Sequence, residues 1–406
     1  MRAAWRVLAV AVLITGSLLI AQMLADGTLH ASPAGAAPFL VYVLTETPRP
    51  GGQSGSVAGQ ITAVDLATRQ DRLSVTAGVN PDAVPDPTGT RLYAAGLVPG
   101  AGGPDQDWLF AVDTRTGAEL WRVPLADRVK YLSGGPSSLF LSPDGRWLLV
   151  FSYPAQTLGQ YGGSSRVPFW FQVIDASTGQ TVGTTAAMPG CGAAEAWFPT
   201  PRSLAVVCSA TGAVNRIDLG NGRLIEQARV AWAATLSGTV GRVAGTVVGN
   251  RSLAFVVTDD RRVAIVDADA TPRIEPALDR VQTSSGAIGS GMLTLADAGQ
   301  VLVYASLPNA DAPGADTIHL VDTRSWREWA TIASPVPLVP GWLASTPDGR
   351  FVLGASATRR DGSFPVVDTV QVLDLASGRW DVPLVRPGQA LVRSVAGPWH
   401  QEGRTP

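Results

Sequence analysis

Along the whole chain, short apolar runs alternate with small clusters of Gly, Pro, Asp, Asn, Ser and Thr. The runs are rich in Val, Leu and aromatic residues, and none carries the 3.6-residue period of an amphipathic helix, so the pattern predicts strands throughout. One unit recurs: an apolar run, then Asp, then a short turn that often ends in Thr-Gly or Ser-Gly. It reads ITAVDLATRQ at Asp65, LFAVDTRTGAEL at Asp113, FQVIDASTGQTV at Asp175 and VNRIDLGNGRL at Asp218. It returns as VAIVDADATPRI at Asp267, IHLVDTRSWREW at Asp322 and VQVLDLASGRW at Asp374. Successive aspartates lie 48, 62, 43, 49, 55 and 52 residues apart, within the range of repeats that build propellers.

A second turn falls between each pair of aspartates, as in DPTGTRLYAAG at Asp86, SPDGRWLLVF at Asp144, TPRSLAVVC at Thr200, VGNRSLAFVV at Asn250, ADAGQVLVYA at Asp297 and TPDGRFVLGA at Asp348. Gly and Asn tolerate the positive φ that tight hairpins require. One repeat therefore reads as four strands: an inner strand, a second strand after this turn, a third ending in Asp, and an outer strand. Seven four-stranded sheets set radially predict an all-β, seven-bladed β-propeller. The first repeat starts at its second strand, Phe39 to Glu46, and the last is followed by a spare strand, Ala390 to Gly397. Inserting the spare strand into the first blade would close the ring and remove an exposed edge. Each repeat aspartate is expected to bond the backbone of its own turn.

Composition adds a core, and excludes some partners. Apolar residues make up 46% of the 406 and charged residues 16%, with a formal net charge of −2. Lys and Arg do not cluster, which argues against a nucleic-acid footprint. Arg2 and Arg6 precede an uncharged, mostly apolar run from Val7 to Leu24. This predicts export, by a cleaved signal peptide or an uncleaved anchor. The expected organisation is leader and spacer over 1–37, propeller over 38–397 and a tail over 398–406. An extracytoplasmic site (periplasmic, secreted or anchored outside the cytoplasmic membrane) makes the two cysteines, Cys191 and Cys208, most simply a disulfide.

The repeat as a whole resembles the YVTN-type propeller repeat, itself WD40-like in its four-stranded blades. The segment MPGCGAAEAWFPTPRSLAVVCSATGAVNRIDL resembles the corresponding blade of methylamine dehydrogenase heavy chains, in Pro189, Cys191, Phe198, Pro199, Cys208 and Gly212. Pro136 to Ala155 and Phe255 to Asp279 match in the same register. The resemblance implies a seven-bladed periplasmic propeller without its own cofactor, partnered by a light chain that carries a tryptophan-derived quinone. AVDTRTGAELWRVPL resembles one repeat of quinoprotein alcohol dehydrogenases, with Trp121 at the docking position. The other six turns lack that tryptophan, so a bound pyrroloquinoline quinone is not expected.

Chemistry-bearing residues are sparse. His30, His319 and His400 are the only histidines; they have no metal spacing, and His319 reads as a packing or surface residue of its strand. No Gly-x-Ser-x-Gly elbow occurs, and no acidic pair follows a calcium-loop pattern. Neither catalytic residues, nor a metal, nor a cofactor are expected. The loops are more informative. Those between second and third strands are long and polar in five repeats: Thr47 to Gly59, Leu97 to Asp107, Tyr153 to Pro168, Leu307 to Asp316 and Ala357 to Asp368. Propeller topology puts them on one face, with Trp108, Tyr153, Tyr161 and Trp170 as candidate partner contacts. The sequence thus reads as an exported, non-catalytic scaffold that binds a protein partner. The alternative is the heavy subunit of a quinoprotein amine dehydrogenase.

Overall fold

A computed structural model describes residues 40–396 except 49–55, 67, 87, 99–105, 126–127, 131–138, 155–169, 187–193, 209–212, 222, 230–239, 249–250, 259–262, 268–286, 297–299, 308–314, 326, 347–348, 360–365 and 386–390. The described residues are all strand, turn or extended chain, without a helix.

The strands follow the repeats. The first supplies β1 (Leu40–Pro48), β2 (Ser56–Asp65) and β3 (Asp71–Thr76). The second supplies β4 (Val79–Pro85), β5 (Arg91–Val98), β6 (Gln106–Asp113) and β7 (Glu119–Pro124). The third supplies β8 (Arg128–Lys130), β9 (Leu139–Leu141), β10 (Trp147–Pro154), β11 (Trp170–Asp175) and β12 (Thr181–Ala186). The fourth has β13 (Ala194–Thr200), β14 (Ser203–Cys208), β15 (Ala213–Asp218) and β16 (Arg223–Arg229). The fifth has β17 (Val240–Val248), β18 (Arg251–Thr258) and β19 (Val263–Asp267). The sixth has β20 (Ala287–Ala296), β21 (Val301–Leu307) and β22 (Ala315–Asp322), and runs through β23 (Arg327–Ser345) into the seventh. The chain ends with β24 (Phe351–Arg359), β25 (Val366–Asp374), β26 (Arg379–Trp380), β27 (Leu384–Val385) and β28 (Leu391–Ala396).

All the pairings between these strands are antiparallel. β28 pairs with β1, setting Ala396 opposite Tyr42 and Leu391 opposite Glu46, so the sheet order of the first repeat is β28-β1-β2-β3. Six sheets form among the described residues, where the sequence predicts seven. The difference comes from β23. Its first half pairs with β22 (Arg327 opposite Asp322), and its end pairs with β24 (Leu343 opposite Gly354), which fuses the sixth and seventh repeats into one eight-stranded sheet. Leu338 belongs to both ladders; Pro335 and Pro337 fall at the register shift between Ala333 and Leu338 in the first, and Pro340 at the shift between Leu338 and Leu343 in the second, where a missing N–H costs no ladder bond. The outer strand of the seventh repeat is also broken, into β26 and β27, both on β25.

The core lies between successive sheets. Alternation along a strand buried on both faces sends neighbouring residues to different partners. On β10, Leu148 and Val150 join Tyr93, Ala95 and Leu109 of the second repeat, while Trp147, Leu149 and Phe151 join Phe198, Leu204 and Ile217 of the fourth. On β1, Tyr42 and Leu44 pack against Leu92 and Ala94, whereas Val41 and Val43 pack against Leu353, Ala355 and Val370 of the seventh repeat. The first repeat is thus in contact with both the second and the last.

Candidate binding faces and a buried polar chain

Two sets of turns line one end of the sheets. Gly89, Gly145 and Gly349 precede second strands, Gly117, Gly179 and Gly378 follow third strands, and all have φ between 63° and 74°. The repeat aspartates secure the second set. Asp113 Oδ1 accepts the N–H of Arg115 and Thr116, Asp175 Oδ1 those of Ser177 and Thr178, and Asp322 Oδ1 those of Arg324 and Ser325. The turns are then clamped together: Ala176, Leu219 and Leu375 donate N–H to the carbonyls of Arg146, Arg202 and Arg350. These carboxylates are consumed by turn geometry, the role expected of them.

At the opposite end of the sheets, second and third strands are joined by 49–55, 99–105, 155–169, 308–314 and 360–365, which lie outside the described residues. Strands extend further into these loops than Gly and Pro suggest. β1 continues through Pro48 by a register shift, and β24 through Arg359. Trp108 is half-buried on β6, between Gly96 and Pro124. Trp170 has the equivalent backbone position on β11, between Ser152 and Ala186, and Tyr153 lies on the adjoining strand opposite Val129. Tyr161 is outside the described residues, as is Cys191. Cys208 ends β14 opposite Ala194. Tyr153 and Trp170 therefore share one sheet, and Trp108 stands in the sheet before it.

Close backbone approach shapes this end. The link from β3 to β4 crosses Gly59 and Gly96; a Cβ on Gly96 would lie 1.5 Å from the Ala77 carbonyl oxygen. At the other end, the Trp121 indole donates to the Ala176 carbonyl (3.1 Å) and covers Gly179, where a Cβ would come within 2.7 Å of the ring. Trp121 thus joins the second repeat to the third.

The sequence did not point to the polar chain inside the sixth repeat. His319 is fully buried, with Nε2 2.8 Å from Ser306 Oγ and Nδ1 2.9 Å from Glu328 Oε2. Tyr304 stacks on the imidazole at 4.5 Å and donates to Glu328, while Thr331 holds the other carboxylate oxygen. Burial, and then the Glu328 charge, push the Tyr304 phenol up. The order Ser–His–Glu matches a hydrolytic triad. However, Ser306 is 2% exposed and His319 0%, which closes both to a substrate. The same strand positions carry Ser152 with Gln172 and Ser356 with Gln371, also hydrogen bonded. The chain is accordingly a cross-strand tie of the repeat, with histidine replacing glutamine and reaching one strand further. The signal available in sequence was positional: three residues before the repeat aspartate, diagonally across from a serine at the sixth residue of the second strand.

Among the described residues, no group of three or more His, Cys, Asp and Glu is placed to hold a metal ion, and no helix is long and apolar enough to cross a membrane.

No protein-family model and no curated protein matches this chain. Solved structures do. A chain of the dihydro-heme d1 dehydrogenase NirN complex is 16% identical, with a TM-score of 0.52, covering 92% of this chain and 78% of that one. A 6-phosphogluconolactonase-like protein of Bacteroides uniformis is 15% identical, with a TM-score of 0.52, covering 88% and 99%. A chain of the Mitotic Checkpoint Complex is 14% identical, with a TM-score of 0.51, covering 78% and 80%. These are β-propeller proteins, and the likeness gives this chain a β-propeller fold. At such identities it speaks for the fold alone.

Proposed function

We propose that the chain is an exported, non-catalytic propeller module that holds a protein partner on its long-connection face. The observation that carries this reading is an asymmetry between the two ends of the sheets. Turns at one end are short and held by their own side chains, by aspartate at Asp113, Asp175 and Asp322 and by the Thr200 hydroxyl at the two-residue turn between β13 and β14. Connections at the other end are long in five repeats and rise from rigid, paired strands, where binding residues usually reside. Trp108, Tyr153 and Trp170 stand at their bases, residue types favoured as interface anchors. We further propose that the seven repeats close as seven blades, with β28 completing the first. The β28–β1 ladder and the packing of Val41 and Val43 against the last repeat support that closure.

The test is affinity capture of the full chain from its native extracytoplasmic fraction, beside variants with 99–105 and 155–169 shortened. A stoichiometric protein that is lost from the shortened, still folded variants is the expected result. Capture indifferent to both loops would overturn the face assignment. The Pro189 to Gly212 resemblance favours a second reading, the heavy subunit of an amine dehydrogenase. Under that reading the captured partner carries a quinone absorbance, and amine oxidation requires it.

A further inference from the structure

On the short-turn end, Asp144, Arg146, Trp147, Arg202 and Gly220 line a cleft of about 390 Å³ between the third and fourth repeats. Arg146 and Arg202 hold the same position in their repeats, immediately before the second strand. Each is rooted by its carbonyl, which accepts an N–H from the turn after the repeat aspartate (3.0 Å in both). The two guanidinium groups therefore project from fixed backbone into one space.

The neighbouring carboxylates are oriented by hydrogen bonds from neutral donors of their own turns. Asp144 Oδ1 accepts from Ser142 Oγ (2.6 Å) and the Arg146 N–H (3.1 Å). Asp218 accepts from the Gly220 N–H and from Asn221 Nδ2. Asp175 is taken up by its own turn. Elsewhere on this end arginines are neutralised: Arg72 pairs with Asp65 at 2.7 Å, and Arg350, equivalent to Arg146 and Arg202, reaches Asp374 at 3.6 Å. Neither Arg146 nor Arg202 forms an ion pair with a described residue. Arg146 lies over the Trp147 ring with Cζ 4.5 Å from its centroid, a contact through the guanidinium face that does not use its N–H donors. Gly220 contributes no side chain; a Cβ there would stand 3.9 Å from Arg202 Nη2.

We infer that this cleft is a carboxylate-binding site, with Arg146 and Arg202 as its two donors. A planar carboxylate matches the fork geometry of guanidinium, and the volume accommodates the carbon chain behind it. The acid could be a free small molecule or an acidic side chain of a polypeptide, and the assay distinguishes the two. This site is independent of the partner face at the other end.

The experiment is calorimetric titration of the full chain with succinate, inorganic phosphate and a capped peptide containing two adjacent glutamates. R146Q, R202Q, the double variant and R350Q are compared, with melting curves to verify folding. Saturable carboxylate binding is expected, weakened about tenfold by either single change, as a lost charge-assisted bond implies. The double variant should abolish it and R350Q should leave it unchanged. Binding of succinate identifies a free acid; binding of the peptide alone identifies a polypeptide. No saturable carboxylate binding, indifference to both arginines, or tighter binding of phosphate than of either carboxylate would overturn the assignment.

Discussion

Arg69, in the outer turn of the first repeat, is ion-paired with Asp381, in the outer part of the last, 312 residues later in the chain. The pair marks the same junction as the β28–β1 ladder, but the two are far from equal in energy. Both side chains are partly exposed, 24% and 47%, and such pairs are worth about 0–1 kcal/mol. The ladder orders a whole strand and covers β1. Asp381→Ala should therefore lower stability by less than about 1 kcal/mol. Truncation before Gly388 should lower the melting temperature of the whole domain. A truncated chain that melts like the intact one would show that β28 does not complete the first repeat's fold.

Gly96 and Gly89 make a contrasting pair. At Gly96 a Cβ would sit 1.5 Å from the Ala77 carbonyl, and no side-chain rotation relieves a clash with backbone. Gly96→Ala should cost more than about 3 kcal/mol, the range of overpacking plus backbone displacement. At Gly89 no atom lies within 4 Å of the added Cβ, and only the positive φ of 70° opposes it. Gly89→Ala should cost about 1–2 kcal/mol. Urea unfolding of both variants checks the order, and reversal would mean that the β3–β4 link moves aside freely.

His319 should be replaceable by glutamine more readily than by alanine. Glutamine restores the pairing seen between Gln371 and Ser356 (2.8 Å) and gives up only the reach to Glu328. Alanine leaves a cavity beside Tyr304 and a buried Ser306 hydroxyl, at about 1–3 kcal/mol for the hydroxyl alone. Chemical denaturation should rank wild type above His319→Gln, and that above His319→Ala. Equal loss in the two variants would remove the case for a repeat-wide cross-strand tie.

Acid should destabilise the domain through its turns. The Asp113 carboxyl is lowered by the Thr116 hydroxyl and N–H, and the Asp175 carboxyl by the Ser177 hydroxyl. At Asp322 burial acts in the raising direction, but the Ser325 and Arg324 bonds outweigh it. A depressed folded pKa contributes stability that is complete above the unfolded value of about 3.9 and is lost as pH falls through the lower folded value. Unfolding midpoints should thus drop below about pH 4, and less steeply in Asp175→Asn, which keeps an acceptor oxygen but no ionisation. An unchanged acid slope in that variant would refute the assignment for Asp175.

Much of this architecture could be read from the chain because period-two alternation and Asx turns are local. Asp113 and Gly117 announce their turn in five residues, and the spare strand near Leu391 follows from counting strands. What escaped notice depended on distance or continuity. Ser306 and Glu328 meet His319 only once three strands are in register. The fusion of two repeats through β23 depends on a continuous strand that carries Pro335, Pro337 and Pro340 at its register shifts, residues that locally favour a break. The cleft of Arg146 and Arg202 joins residues of different repeats, so no single segment reveals it.

The cysteines offer a decisive check on compartment and local stability together. Cys208 closes β14 and faces Ala194 across the ladder, three residues beyond Cys191 in sequence. We propose that the two are joined in the exported protein. A bridge across a loop of this length restricts the unfolded chain by about 3 kcal/mol, which acts on the fourth repeat between the packed core at Phe198 and the strand edge. Thiol labelling of denatured, unreduced protein from the native compartment should find no free cysteine, and reduction should lower the melting temperature. Cys208→Ala should melt like the reduced wild type and should no longer respond to reductant. Two reactive thiols per chain in freshly isolated protein would reject the disulfide and weaken the export argument with it.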